Sequence, residues 1–190
     1  MTGSGRTPAV RPSRADLLAA DGRTIDDVLA DDLDVLFCGI NPGLWSAWSG
    51  HHFARPGNRF WPALHRSGFT PRLLAPSEQD LLPAHGLGVT NLVARASARA
   101  DELRPAELVA GGEALRAKVD ARRPRWLAVV GIGAYRTAFG CTRASVGPQP
   151  DLGGTHVWVL PNPSGLNAHY SAEKLAAEFA RLRDQVDNAR

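Results

Sequence analysis

The chain is short of several residue types: two cysteines, two lysines, two tyrosines and one methionine in 190 residues. Each shortage closes off a class of function. Cys38 and Cys141 stand far apart in the sequence and show no metal-ligand spacing, which excludes a zinc or iron–sulfur centre built on clustered thiolates. Apolar runs all fall well short of the ~18 residues that a membrane-spanning helix needs, so no membrane partner is expected. The first residues contain no apolar leader core, so the expected compartment is the reducing cytoplasm (at the nucleoid, if the source is bacterial) and no disulfide is expected. No GxxxxGK[ST] loop is present. Gly131-Ile132-Gly133 opens like a dinucleotide loop, but Arg136 occupies the place of the third glycine in G-x-G-x-x-G, which argues against a nucleotide-binding oxidoreductase. His51 and His52 are adjacent, so their side chains diverge, and no third ligand stands at helical spacing. Neither a metal nor a cofactor is expected.

What is present is ordinary in bulk and unusual in detail. Hydrophobic residues make up 44% and charged residues 22%, which fits one soluble domain with a single sizeable core. The net charge is only +3, yet its basic part is twenty arginines against Lys118 and Lys174. Arginine suits phosphate forks and groove insertion, although a GC-rich genome produces the same bias. Residues 1–24 begin Gly/Pro/Ser/Thr-rich with Arg6, Arg11 and Arg14, and read as a disordered basic arm; residues 25–190 read as the folded domain. Thr24 to Asp34 carries five aspartates with no spacing around a site, and reads as a solvated helix or loop.

The informative stretch is Asp34 to Trp61. Val35 to Cys38 is a short apolar run, the pattern of a buried parallel strand. Asn41-Pro42-Gly43 follows at once, and Pro42 holds Asn41 out of the helical region. A polar amide is thereby fixed at the C-terminal end of a strand, the edge where open α/β sheets bind ligands. A loop rich in aromatics follows, in which Trp45 and Trp48 read equally well as packing or as stacking residues. Asn58 reads as the cap of a helix from Arg59 to about Gly68. Val157 to Leu160 repeats the grammar: a buried strand, then Pro161-Asn162-Pro163-Ser164-Gly165. Ser164 has no nucleophile elbow around it, which excludes a serine hydrolase.

Between these two motifs the pattern predicts strands at Leu87–Val93 and Trp126–Val130. Helices are expected at Ser77–Leu82, Arg104–Ala121 and Tyr135–Phe139, and a loop from Gly140 to Gly154. The last helix starts at Ser171, with Leu175, Phe179, Leu182 and Val186 on one face. Alternating strands and helices predict an α/β fold: one domain with three αβα layers and a mostly parallel central sheet.

GINPG at Gly39 to Gly43, GHHFARPGNRFW at Gly50 to Trp61 and LPNPSGL at Leu160 to Leu166 together resemble the mismatch-specific uracil/thymine-DNA glycosylases of the uracil-DNA glycosylase superfamily. The resemblance extends more weakly through GVTNLV at Gly88 to Val93. It implies double-stranded DNA carrying G·U or related mismatches as the partner, and a monomer. It assigns Asn41 to orienting the attacking water, and the ring of Phe53 to stacking on a flipped base. Backbone groups near Ile40 and Phe53, together with Asn162 and Ser46, would surround the base. Ser164, Gly165, Leu166 and Asn167 would form the wedge that enters the vacated stack. Asn167-Ala168 stand where the family usually has Ser-Arg, which puts that arginine's DNA contact in doubt. Arg55, Arg59 and Arg95 are candidate phosphate contacts. Neither lysine lies near these motifs, so no Schiff base with the sugar is expected and the enzyme would be monofunctional. A non-catalytic mismatch- or lesion-binding module is the alternative. Asp101, after the second strand, reads either as an acid approaching the sugar or as a helix cap.

Overall fold

The computed structural model describes residues 11–189, so the first ten residues of the expected arm lie outside the described residues. The remainder of that arm is structured. Ser13 caps a short helix α1 (Arg14–Leu18) through a reciprocal pair with Asp16. Beyond it Ala20 is fully buried. Sequence composition hid this because the segment has one turn of helix and a single core residue.

Among the described residues five strands form one sheet: β1 (Val35–Gly39), β2 (Leu87–Asn91), β3 (Trp126–Val130), β4 (Gly147–Leu152) and β5 (Thr155–Leu160), in the order β2-β1-β3-β5-β4. All neighbours pair in parallel except the edge strand β4, which runs antiparallel to β5. The expected loop from Gly140 to Gly154 therefore contains a strand. Its sequence, Gly-Pro-Gln-Pro-Asp-Leu, lacks two backbone donors, and an edge strand with one partner is where that is tolerated.

Side chains of β1, β3 and β5 alternate between two cores. Phe37, Val130 and Leu160 pack on α3 (Phe60–Arg66) and α6 (Ala172–Asn188); Cys38, Val129 and Val159 pack on α4 (Pro105–Arg122) and α5 (Ile132–Phe139). The expected face of the last helix (Leu175, Phe179, Leu182, Val186) is buried throughout, on the α3 side. Gly111 and Gly112 stand inside α4, where glycine ordinarily weakens a helix, and are close-approach sites. A methyl group on Gly111 would lie 2.4 Å from the Leu92 carbonyl oxygen, and one on Gly112 would lie 2.6 Å from that of Ala138. The aromatic loop after Gly43 begins with one further helix, α2 (Leu44–Ser49), ended by Gly50 in a left-handed conformation. From β1 the chain reaches β2 on one side and β3 on the other, so the strand order reverses beside β1, and a crevice opens at that point.

Candidate active site

A cavity of about 390 Å³ fills that crevice. Of the residues singled out in the sequence, Ile40, Asn41, Ser46, Phe53, Arg55, Asn162, Ser164 and Leu166 line it; Arg59, Arg95, Gly165 and Asn167 do not. Three asparagines reach it from the C-terminal edge of the sheet: Asn41 after β1, Asn91 at the end of β2, and Asn162 after β5.

Asn41 is held by its nitrogen. Its Nδ2 donates to the Arg95 carbonyl at 3.1 Å and to Ser97 Oγ at 2.8 Å. A carbonyl can only accept, so the amide nitrogen must face Arg95. The Ser97 hydroxyl spends its own proton on the Arg99 carbonyl at 2.7 Å, leaving a lone pair for Asn41. Both amide hydrogens are consumed, and Oδ1, which no donor among the described residues reaches, remains available in the cavity as an acceptor. The loop carrying these acceptors continues the β1–β2 pairing past the strand ends, through Leu92 N–H to Gly39, Val93 N–H to Ile40 and Ser97 N–H to Pro42.

Asn91 and His52 also line the cavity; the sequence reading weighed His52 only as a metal ligand and did not single out Asn91, although Asn91 ends a strand just as Asn41 and Asn162 follow one. His52 is buried, and its Nε2–H donates to the Asp26 carbonyl at 3.0 Å. Nδ1 is then a bare acceptor, and Asn91 Nδ2 donates to it at 3.3 Å. Asn91 Oδ1, which lies beside Gly39, accepts no hydrogen bond among the described residues. Burial holds the His52 pKa below the ordinary histidine value and keeps the ring neutral. A proton on Nδ1 would oppose the Asn91 amide, donor against donor.

A depressed folded-state pKa means that the unfolded chain takes up the proton first. Stability from this group is therefore present above about pH 6.5 and declines as pH falls below it. Urea denaturation at pH 7.5 and 5.5 should show a larger acid loss for the parent chain than for His52→Gln. Equal losses would show that His52 is not the responsible group.

Phe53 has a left-handed backbone (φ 54°), a conformation costing about 1–2 kcal/mol for a non-glycine residue. The ring repays part of that by stacking on Phe60 at 4.1 Å and 20° between planes. Phe60 is itself wedged between Phe37 and Phe179, so the half-buried Phe53 ring lies in the cavity wall on a rigid base. Ser46, buried on α2, accepts from the Ala54 N–H at 3.2 Å and holds that loop closed.

Asn162 Oδ1 accepts the Ser164 N–H at 2.9 Å, a self-contained turn that leaves the Asn162 Nδ2 without an acceptor among the described residues. Asn167 Nδ2 closes the same turn on the Asn162 carbonyl at 2.9 Å. Gly165 is glycine because the turn rests on neighbouring backbone: a methyl group there would lie 2.6 Å from the Gly57 carbonyl oxygen. Leu166 is the most exposed large apolar side chain among the described residues, at 75%.

Two of the three candidate phosphate contacts have other employment. The Arg59 guanidinium donates to the carbonyls of Tyr170, Ser164 and Asn167, the last at 2.9 Å, and so holds the turn from behind. Arg95 forms a fork on Glu107, at 2.6 and 3.0 Å, which pulls the carboxyl pKa down to about 2. Arg55 is exposed on the cavity rim, and its side chain makes no ion pair or hydrogen bond among the described residues. Asp101 also lines the rim, in a single 3-10 turn (Ala100–Glu102), and pairs with Arg99. Among the described residues, no group of three or more His, Cys, Asp or Glu side chains could hold a metal ion.

A family model described as the uracil DNA glycosylase superfamily matches residues 27–186. The chain is also similar in fold to a protein from Methanosarcina acetivorans, solved in solution by NMR and named as a candidate uracil DNA glycosylase. Identity is 18%, coverage is 85% of this chain and 98% of that one, and the TM-score is 0.54.

Proposed function

The chain belongs to the uracil DNA glycosylase superfamily, and from that premise we propose that it is a monofunctional, mismatch-directed member that flips uracil out of G·U pairs and hydrolyses its N-glycosidic bond. The observation that carries the catalytic reading is Asn41. Its amide is locked nitrogen-first onto the Arg95 carbonyl and Ser97, with Oδ1 left in the cavity. Such an oxygen orients a water without removing its proton.

That is sufficient chemistry for this bond. Uracil leaves as an anion spread over two carbonyl oxygens and a ring nitrogen, so the flanking pair of carboxylates of ordinary glycosidases is dispensable. The sugar becomes cationic as the base departs, and the oriented water traps it. Forgoing a general base costs on the order of 10²–10⁴ in rate, which predicts a slow enzyme that depends on fixed dipoles around the leaving base. Backbone groups at Ile40 and Phe53, with the amides of Asn91 and Asn162, are suited to supply them. The Phe53 ring offers a stacking face, and Ser46 would meet the 5-position, where a methyl is disfavoured by only about 1–3 kcal/mol. No lysine lines the cavity, which supports the monofunctional reading.

Mismatch preference follows from opening cost. Extruding a base costs a few kcal/mol, least for a mispaired one, so weak base contacts leave selection to the duplex. Leu166 suits the gap that remains: it is apolar, exposed and mounted on a turn rigidified by Asn162, Asn167 and Arg59. An apolar wedge of this kind offsets about one step of unstacking.

The test is incubation with duplexes carrying one G·U or A·U pair and with single-stranded uracil, followed by alkali. Strand breakage after alkali is expected. A mobility shift without breakage would make the chain a binding module instead. In the same assay Leu166→Ala should impair A·U most, G·U less and single strands least, with unchanged stability. Equal impairment of all three would remove the wedge role.

A further inference from the structure

Both acceptors that orient Asn41 flank one residue. Arg95 supplies a carbonyl and Ser97 a hydroxyl, and between them Ala96 is fully buried with both of its backbone groups taken by the N-terminal segment. The Ala96 N–H donates to the Arg23 carbonyl at 2.7 Å, and its carbonyl accepts from the Gly22 N–H at 3.0 Å. Ala20, also fully buried, packs with Ala96 and Ala47, three small side chains that let the segment lie close against the loop.

The segment is anchored on both sides of this contact. Upstream is the capped helix α1. Downstream, Val28 exchanges two backbone bonds with Val89 of β2, each 2.9 Å, and Asp27 takes Lys118 Nζ and Thr90 Oγ1, both at 2.6 Å. On the way it presents the Asp26 carbonyl to His52 Nε2 at 3.0 Å, and Ile25 to the cavity wall. Residues 20–26 precede residue 27, where the family match begins.

We infer that residues 20–26 are a positioning strap for Asn41, acting through Ala96. This rests on the catalytic role assigned above to Asn41. A displacement of the Ala96 peptide moves the Arg95 carbonyl and Ser97 together, so neither acceptor can compensate for the other. Among the described residues this loop is also held by the N–H bonds of Leu92, Val93 and Ser97 to Gly39, Ile40 and Pro42, and by the Arg95 side chain on Glu107 and the Glu102 carbonyl; none of these is made to the Ala96 N–H or carbonyl.

Gly22→Val in the full chain tests it. Gly22 is left-handed (φ 73°) with nothing within 4 Å of an added Cβ, so the branch point itself meets no neighbour while the β-branched residue is driven out of that conformation. Ala20→Asp, which places a carboxylate against Ala47 and Ala96, is the second variant. Gly22→Asn, tolerated in the left-handed region, is the conservative control.

The first readout needs no activity: hydrogen exchange, by NMR, of the Ala96 amide and of the Asn41 side-chain amide. Both should accelerate in Gly22→Val or Ala20→Asp and recover in Gly22→Asn. The second is single-turnover release of uracil, expected to fall by on the order of tenfold at saturating DNA, given that misplacement by 1 Å can cost 10²-fold. In an Asn41→Ala background the same strap variants should cost nothing more. Faster exchange at Ala96 with Asn41 unaffected overturns the inference. So does equal loss in both backgrounds, and so does unchanged Ala96 exchange in both strap variants. If the parent chain releases no uracil, the functional reading fails, while the exchange measurement still decides the strap.

Discussion

Asn41→Ala will lose on the order of 10²-fold or more in single-turnover release of uracil from a G·U duplex, while duplex affinity stays close to that of the parent. The loss is specific to the chemical step because Oδ1 is the one group of the side chain with no structural duty; Nδ2 carries both bonds to the protein. Ser97→Ala removes one of those bonds and leaves the Arg95 carbonyl as the sole anchor, so a loss of about tenfold is expected, one hydrogen bond's worth of orientation.

Asn41→Asp is more informative than its near-isostery suggests. A carboxylate in this geometry would set an oxygen against the Arg95 carbonyl at 3.1 Å, acceptor against acceptor, and Ser97 has already spent its proton on Arg99. The substitution should therefore slow cleavage, despite introducing a potential base. Rates for the three variants, with affinities measured on the same duplex, decide the matter. An Asn41→Ala enzyme as fast as its parent would eliminate the water-orienting role.

The largest loss of stability is expected from Arg59→Ala. One half-buried guanidinium serves the carbonyls of Tyr170, Ser164 and Asn167, and tethers the turn that presents Leu166 to the start of α3. Deleting it leaves three acceptors to find water, a cost of about 2–4 kcal/mol. The turn loosens with it, so cleavage of duplex uracil should fall further than cleavage in single strands. Arg59→Lys should rescue little, because an ammonium cannot reproduce a planar fork spread over three carbonyls. Urea denaturation and the salt dependence of binding separate this account from phosphate contact. A phosphate-binding Arg59 would leave stability intact, and its loss would flatten the salt slope by about 0.9.

Much of the molecule was legible in the chain itself. Short apolar runs ending in Asn-Pro announced β1 and β5 and put two amides on one sheet edge, because proline restricts the preceding residue whatever surrounds it. The spacing of Leu175, Phe179, Leu182 and Val186 announced the buried face of α6. The family motifs, confined to a few residues each, pointed to the crevice where the cavity lies. These features are local: they depend on dihedral preference and periodicity, which travel with the sequence.

Other features depend on partners distant in the chain. β4 was invisible because its prolines argue against a strand until a single edge partner makes them harmless. Arg59 and Arg95 looked like phosphate ligands because exposure and pairing cannot be read from an arginine's neighbours; Glu107 and three carbonyls more than a hundred residues from Arg59 decided their duties. Asn91 and His52 became site residues only when β2 settled beside β1 and the Asp26 carbonyl chose the histidine tautomer. The orientation of Asn41 is the sharpest case. Its sequence position placed an amide at the sheet edge, but only the loop of Arg95 and Ser97, folded back across 54 and 56 residues of separation, determined which end of the amide faces the cavity. Hydrogen bonding between groups far apart in the chain carries no local periodicity, so it becomes readable only once the chain has closed on itself.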